Sequence, residues 1–195
     1  LCEPFSVTLH AANQGGDLTG KTVLVSGCGP IGILMIVAAR LAGAARIVAT
    51  DITAHSLAVA AGFGCDDCLD VSKGAEALAP YTVDRGQIDV AFECSGNSHA
   101  LAAALGTLRP KGRIVLVGLG GDAPMPMNTI VAKELEIVGT FRFDREFARA
   151  AELISSRTVD LRPMISASFP MAEAIEAFTQ ASDRTRATKV VIALS

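Results

Sequence analysis

Short apolar runs rich in β-branched residues alternate with alanine-rich segments along most of the chain. Residues 22–26, 46–50, 67–69, 88–93, 113–117 and 136–140 are strand candidates. Several are apolar at nearly every position, which is the pattern of strands covered on both faces in a parallel sheet. Helix candidates lie between and after them, at 31–42, 54–61, 74–79, 99–108 and 145–156. Residues 31–42 are apolar almost all round, as in a helix packed deep against a sheet, and Gly43 is placed to end it. Residues 3–13 read as a leading helix with Pro4 in its first turn. Pro110-Lys111-Gly112 marks a turn ahead of the fifth strand. The alternation predicts an α/β fold, a doubly wound parallel sheet of about six strands.

The last part of the chain breaks this rhythm. Residues 164–169 and 189–194 read as short strands. Between them Met171, Ala174, Ile175, Phe178 and Ala181 recur at helical spacing as an apolar stripe. A boundary near residue 160 is therefore expected. Residues 1–160 would form one domain, and 161–195 a segment of a second domain supplied mostly by other residues. With Leu1 rather than methionine at position 1, this predicts a piece of a longer polypeptide.

Composition narrows the function classes. A chain of 195 residues, half hydrophobic and 19% charged, can bury a core and is not a disordered segment. Seventeen basic against 20 acidic side chains leave a net charge of −3, which is no footprint for nucleic acid. The apolar run 31–39 is too short to cross a bilayer and stops at Arg40. No secretory pattern opens the chain, so a cytoplasmic protein with no membrane partner is expected. Cys65 and Cys68 form a single C-x-x-C, and a zinc ribbon would need a second. The pair is expected to be two reduced side chains at a strand edge. The three histidines lack metal-ligand spacing. His10 is read as a helix-packing residue, and His55 and His99 as exposed residues near helix starts.

The first strand runs into Gly27-Cys28-Gly29-Pro30-Ile31-Gly32, and a helix follows. This G-x-G-x-x-G sits where a Rossmann dinucleotide fold requires it. Gly27 permits the tight turn, Gly29 leaves room for a pyrophosphate, and Gly32 lets the helix approach the sheet. The helix start offers unpaired N–H groups to the phosphates. Asp51 ends the second strand, 19 residues after Gly32, where a carboxylate accepts from the adenosine ribose hydroxyls. The acid disfavours a 2′-phosphate: like charges about 4 Å apart repel by roughly 4 kcal/mol at an effective dielectric near 20. No arginine directly follows Asp51, so NAD is expected over NADP. An S-adenosylmethionine-dependent methyltransferase shares the glycine loop and the acid. Against it, 88–96 and 112–120 repeat the strand-plus-glycine pattern of a second mononucleotide half. Ser95-Gly96 and Val117-Gly118 would line the nicotinamide end.

Further residues carry a family resemblance along essentially the whole chain. They are Glu3-Pro4, Ser6-Val7, His10-Ala11, Val23-Leu24-Val25 with the glycine loop, Phe92-Glu93-Cys94-Ser95-Gly96, Gly112-Arg113-Ile114-Val115 and Gly139-Thr140-Phe141-Arg142-Phe143. The chain resembles the zinc-dependent medium-chain dehydrogenases. Their polyol branch fits best, and Val117-Gly118-Leu119-Gly120-Gly121 and Ser182-Asp183-Arg184 favour a sugar-acid member.

The resemblance implies a two-domain subunit whose principal zinc ligands lie in an N-terminal half not present in this sequence. It implies that Glu3 sits beside the catalytic zinc, that Ile31 and Asp51 touch the cofactor, and that Val117, Gly118 and Leu119 run alongside the nicotinamide. Thr140, Phe141 and Arg142 match a second cofactor segment. Arg142 and Phe143 match substrate-side positions, the second often tyrosine in the branch. Ser56 stands where relatives often carry an arginine near the ribose. The implied activity is zinc-assisted hydride transfer between a polyol or sugar acid and NAD, in a homo-oligomer paired through the sixth strand. Taken alone, the chain would bind dinucleotide and catalyse nothing.

Overall fold

The computed structural model describes residues 1–194. Six parallel strands form the main sheet: β1 (Thr22–Ser26), β2 (Arg46–Asp51), β3 (Asp67–Asp70), β4 (Ile88–Glu93), β5 (Leu108–Leu116) and β6 (Glu136–Gly139). Their order is β3-β2-β1-β4-β5-β6. The order reverses between β1 and β4, and ligands of such sheets bind outside the carboxyl ends at that point.

Alternation along β1 shows how sequence becomes layers. Val23 and Val25 point into one core and Leu24 into the other. The first core packs the sheet against α1 (Cys2–Gln14), α2 (Pro30–Leu41), α3 (Ala54–Gly62) and α6 (Glu146–Ser155) around Phe5, Leu34, Met35 and Phe92. The second lies beneath α4 (Ser98–Thr107) and gathers Ile88, Leu105, Leu108 and Ile114. Each large side chain so buried contributes about 1.5–3 kcal/mol relative to exposure. Helix α2 is buried on most sides, as its apolar sequence requires. Helix α1 packs on α2 and α6. His10 Nδ1 lies 3.0 Å from Glu146 Oε1, and Asn13 Nδ2 donates to the same oxygen at 2.8 Å. Burial opposes ionisation of Glu146. The backbone N–H groups of Asp144 and of Glu146 itself, with His10 and Asn13, outweigh it and bring its pKa down to about 2.

The structure departs from the sequence expectations in several places. Residues expected as a helix at 74–79 form tight 3₁₀ turns over Ala75–Tyr81 with Pro80 inside, because proline has no N–H to continue an α-helix. Strand β5 begins at Leu108, earlier than expected, and its register on β4 jumps from Ile88↔Leu108 to Val90↔Arg113. The Pro110-Lys111-Gly112 turn thus survives as an excursion within the strand. A short helix, α5 (Met127–Lys133), buries no side chain fully and carried no apolar stripe to announce it. Cys65 and Cys68 are paired as a disulfide, with Cα atoms 6.2 Å apart, not reduced as expected. Cys65 lies in the turn before β3 and Cys68 within the strand.

The tail forms a separate two-stranded parallel ladder of β7 (Ile165–Pro170) and β8 (Lys189–Ala193), joined by α7 (Ala174–Ser182). The expected apolar stripe of α7 is not covered. Ala177 is its one buried residue, while Ile175 is 85% exposed, Phe178 72% and Met171 57%. No helix among the described residues is long and apolar enough to cross a membrane.

Candidate dinucleotide site at the carboxyl ends of the strands

The parallel register brings the ends of β1, β2, β4, β5 and β6 to one edge of the sheet. There the two glycine-bearing halves meet. Gly27 follows β1 with a φ of +93°, and a Cβ on it would lie 2.9 Å from that of Ser95. A Cβ on Gly32 would fall 1.8 Å from the Gly27 carbonyl oxygen, so only glycine lets α2 start this close to the loop. Gly29 differs: a Cβ there would meet nothing within 4 Å. Its bare backbone borders open space at the start of α2, beside Pro30 at the helix's first position and half-buried Ile31.

Asp51 does more than end β2. Its Oδ2 accepts from the Cys28 N–H at 2.7 Å and its Oδ1 from the Thr53 N–H at 2.8 Å. The carboxylate thereby ties the glycine loop to the start of α3, and Gly27 N–H donates to the Thr50 carbonyl at 2.8 Å. Each carboxylate oxygen keeps a further lone pair for a ligand hydroxyl. Cys28 is buried beneath the loop; burial and the Asp51 charge push its thiol up to about 12. The Cys94 thiol is also raised, by burial and then by Glu93 and Cys28. Both stay protonated and contribute packing, not nucleophiles.

The second half is built on Glu93, a buried carboxylate that sequence reasoning missed as a functional residue. It accepts from Ser95 N–H at 2.9 Å, from the Ser95 hydroxyl, and from Gly96 N–H at 3.0 Å. A carboxylate directly after the apolar run Val90-Ala91-Phe92 was the available signal. The turn it holds interlocks with the next loop: a Cβ on Gly118 would lie 2.3 Å from Gly96 N, and one on Gly120 1.6 Å from Gly96 O. Val117 and Gly118 therefore run beside the Gly96 turn at the end of β4, while Leu119 projects into solvent at 87% exposure.

Thr140 follows β6, and its N–H donates to Leu116 O at 3.2 Å. Its hydroxyl oxygen is buried with no hydrogen-bond partner among the described residues. Phe141 is 69% exposed, and Arg142, at a φ of +54°, sits 5.4 Å over its ring. Phe143 is instead half-buried beside the exposed Phe147, with ring centres 5.7 Å apart. Glu3 stands exposed in the first turn of α1. Cys2 Sγ, one residue before it, lies 3.7 Å from the Phe147 carbonyl, so the start of α1 is tethered to the segment that follows Arg142 and Phe143. The fold thus brings Gly27–Gly32, Asp51, Val117–Gly118 and Thr140 to one edge. Leu119, Phe141, Arg142 and Glu3 show no hydrogen bond to that crevice.

The zinc-binding dehydrogenase family profile matches residues 30–156, from the start of α2 to the end of α6. The chain belongs to this family. It is 38% identical over 191 residues to L-idonate 5-dehydrogenase (NAD(P)(+)) of Escherichia coli (strain K12), covering 97% of this chain and 55% of that protein. Sorbitol dehydrogenase of Homo sapiens is 36% identical over 183 residues, covering 91% and 51%. The crystal structure of L-idonate 5-dehydrogenase from Escherichia coli superposes with a TM-score of 0.94 at 36% identity, over 99% of this chain and 56% of that one. The chain spans about half the length of the curated relatives it matches. Family membership removes the methyltransferase alternative and agrees with the resemblance read from the glycine loop, the Phe92–Gly96 segment and the Gly139–Phe143 segment.

Proposed function

We propose that this chain is the cofactor-binding part of an NAD(P)-dependent dehydrogenase acting on a polyol or sugar acid, of the L-idonate to 5-keto-gluconate type. The observation that carries the reading is the Asp51 clamp on the glycine loop at the sheet's switch point. Open space at Gly29, the free end of α2 and the lone pairs of Asp51 fit a pyrophosphate and its adenosine ribose. The orphaned Thr140 hydroxyl fits an amide or ribose group at the other end. Nicotinamide supplies the hydride chemistry; the chain's residues orient it. Gly118 and Val117 give the ring a flat backbone wall. Arg142, exposed over the Phe141 ring, is the group assigned to an acidic substrate, with Phe143 and Glu3 as the other substrate-side candidates.

Zinc does not fit the residues present. Among the described residues no three His, Cys, Asp or Glu side chains cluster as metal ligands, and Glu3 is a single exposed carboxylate. No step is carried through a metal in this chain. The zinc of the intact enzyme would rest on residues of the other half, to which the tail, residues 161–195, also belongs. In that parent protein β6 would pair across a homodimer in the cytoplasm.

A second reading is favoured by the missing ligand set: the 195-residue chain binds dinucleotide without turnover. Calorimetry with NAD, NADP and S-adenosylmethionine, followed by an idonate oxidation assay, tests both. Dinucleotide binding without turnover is expected. Binding of S-adenosylmethionine alone would sink the cofactor assignment, and idonate oxidation by this chain would sink the inactive reading.

A further inference from the structure

The C-x-x-C segment lies at the opposite end of the sheet from β6, and the dinucleotide reading makes no use of it. Strand β3 ends the sheet there, with no strand beyond it among the described residues. Cys65 and Cys68 are both half-buried, resting against the edge of the first core. The other cysteines offer no comparable chemistry. Burial, and after it the Asp51 and Glu93 charges, keeps the Cys28 and Cys94 thiols protonated. Cys2 stands apart as a free thiol at the start of α1.

Bonds that involve no sulfur hold this segment. Asp66 and Asp67, the two residues between the cysteines, both bond outward. Asp66 Oδ2 accepts from the Ile47 N–H at 2.7 Å and from Arg40 Nη2 at 2.6 Å. The Asp66 N–H donates to the Ile47 carbonyl at 2.9 Å. Asp67 Oδ2 accepts from Arg46 Nε at 2.8 Å and from the Tyr81 hydroxyl at 2.7 Å. The Cys65 N–H donates to the Ala60 carbonyl at 3.3 Å, and Cys68 pairs with Ala49 in the ladder of β2 and β3. Both cysteine backbones are thus fixed to α3 and β2, with their Cα atoms 6.2 Å apart, a separation that a disulfide spans. A bridge between residues three apart constrains the unfolded chain less than closure of a longer loop does, so the fold gains little from it.

We propose that Cys65 and Cys68 form a reversible thiol–disulfide site that exchanges with a small thiol–disulfide couple of the glutathione class. In the oxidising direction, one cysteine thiolate attacks a sulfur of the small disulfide. That S–S bond breaks, a mixed disulfide forms, and one small thiolate leaves. The second cysteine thiolate then attacks the protein sulfur of the mixed disulfide, closing the Cys65–Cys68 bond and releasing the second small thiolate. The protein pair gives up two electrons to the small disulfide, and its two protons pass to the released thiolates. Reduction is the reverse. The anchored backbone makes the second attack an intramolecular step between groups already in place, so the mixed disulfide does not accumulate. Half-burial favours a small, flexible reagent over a folded protein that must bring its own sulfur to the bridge. Arg40 and Arg46 pair with the flanking carboxylates, which lowers the repulsion an anionic tripeptide such as glutathione meets there.

The test is equilibration of the 195-residue chain in glutathione buffers graded from fully reduced to fully oxidised. An acid quench, alkylation of the unfolded chain and intact-mass analysis with peptide mapping follow. All five cysteines are expected to be labelled in the reduced buffers. In the oxidised buffers Cys65 and Cys68 are expected to lose their labels together while Cys2, Cys28 and Cys94 keep theirs. Cys65→Ser and Cys68→Ser, each checked by a thermal melt, remove the second attacking thiol and are expected to raise the glutathione-bound fraction at least about fivefold. Circular dichroism of the reduced and oxidised parent chain is expected to overlay, since the Asp66 and Asp67 anchors serve both states. A bridge that persists in fully reduced glutathione, or never forms in the oxidised buffers, would overturn the proposal. So would loss of sheet signal on reduction, or a glutathione-bound fraction equal in the parent chain and both variants.

Discussion

The crevice end of the sheet and the tail are built from similar residues and end in opposite states. In the sheet, β1 and β4 are buried along almost their whole length, and α2 hides most of its apolar surface. In the tail, β7 alternates half-buried with exposed positions, and α7 leaves Ile175, Phe178 and Met171 in solvent. The difference lies in what surrounds them. β1 has a paired strand on each side and a helix layer on each face. β7 and β8 pair with each other alone, and nothing among the described residues lies over the stripe of α7. An apolar stripe announces that a surface is to be covered; it does not say by what.

The comparison is broken most severely at the loop. Gly32→Ala puts a methyl 1.8 Å from the Gly27 carbonyl, which neither backbone segment can accommodate in place. A loss of more than about 3 kcal/mol in chemical denaturation is expected, with NAD binding abolished. A thermal melt within a degree of the unaltered chain would show that the loop is not held as described. Phe92→Ala, in the core beneath the crevice, should cost about 3–5 kcal/mol in the same measurement.

Glu146→Gln tests the join between α1 and α6. Its carboxyl is held at about 2, below its ordinary value, so its contribution is present at neutral pH and is lost as pH falls through roughly 4.5 to 2. The variant should be less stable by about 1–2 kcal/mol at pH 7 and converge on the parent chain near pH 2. A gap that stays constant in acid would dismiss the account of Glu146 as a hydrogen-bonded carboxylate. The smallest effect belongs to the tail. Phe178→Ser should change stability by less than about 0.5 kcal/mol and reduce self-association in light scattering, since this ring is largely exposed. A large destabilisation would mean that the stripe is covered after all.

What was legible and what was not divides along contact range. Residues 22–51 announce their own structure: an apolar strand, the three glycines of the loop, a second apolar run and a terminal acid lie within one strand-helix-strand unit. Each glycine's conformational need and each strand's two-sided burial is a local property, so the dinucleotide loop and the parallel sheet follow from sequence. The fit of Gly96 against Gly118 and Gly120, and the Glu93 clamp that poises it, needed β4 and β5 to be neighbours before it existed. The cofactor preference is the sharpest case. Asp51 with no arginine after it points to NAD, and that argument holds as far as the local chain extends. Only the folded chain brings the Thr188 hydroxyl within 3.3 Å of His55 Nε2, 133 residues away on the turn that follows Asp51, because sheet order, unlike helix periodicity or glycine spacing, leaves no mark on the residues it brings together.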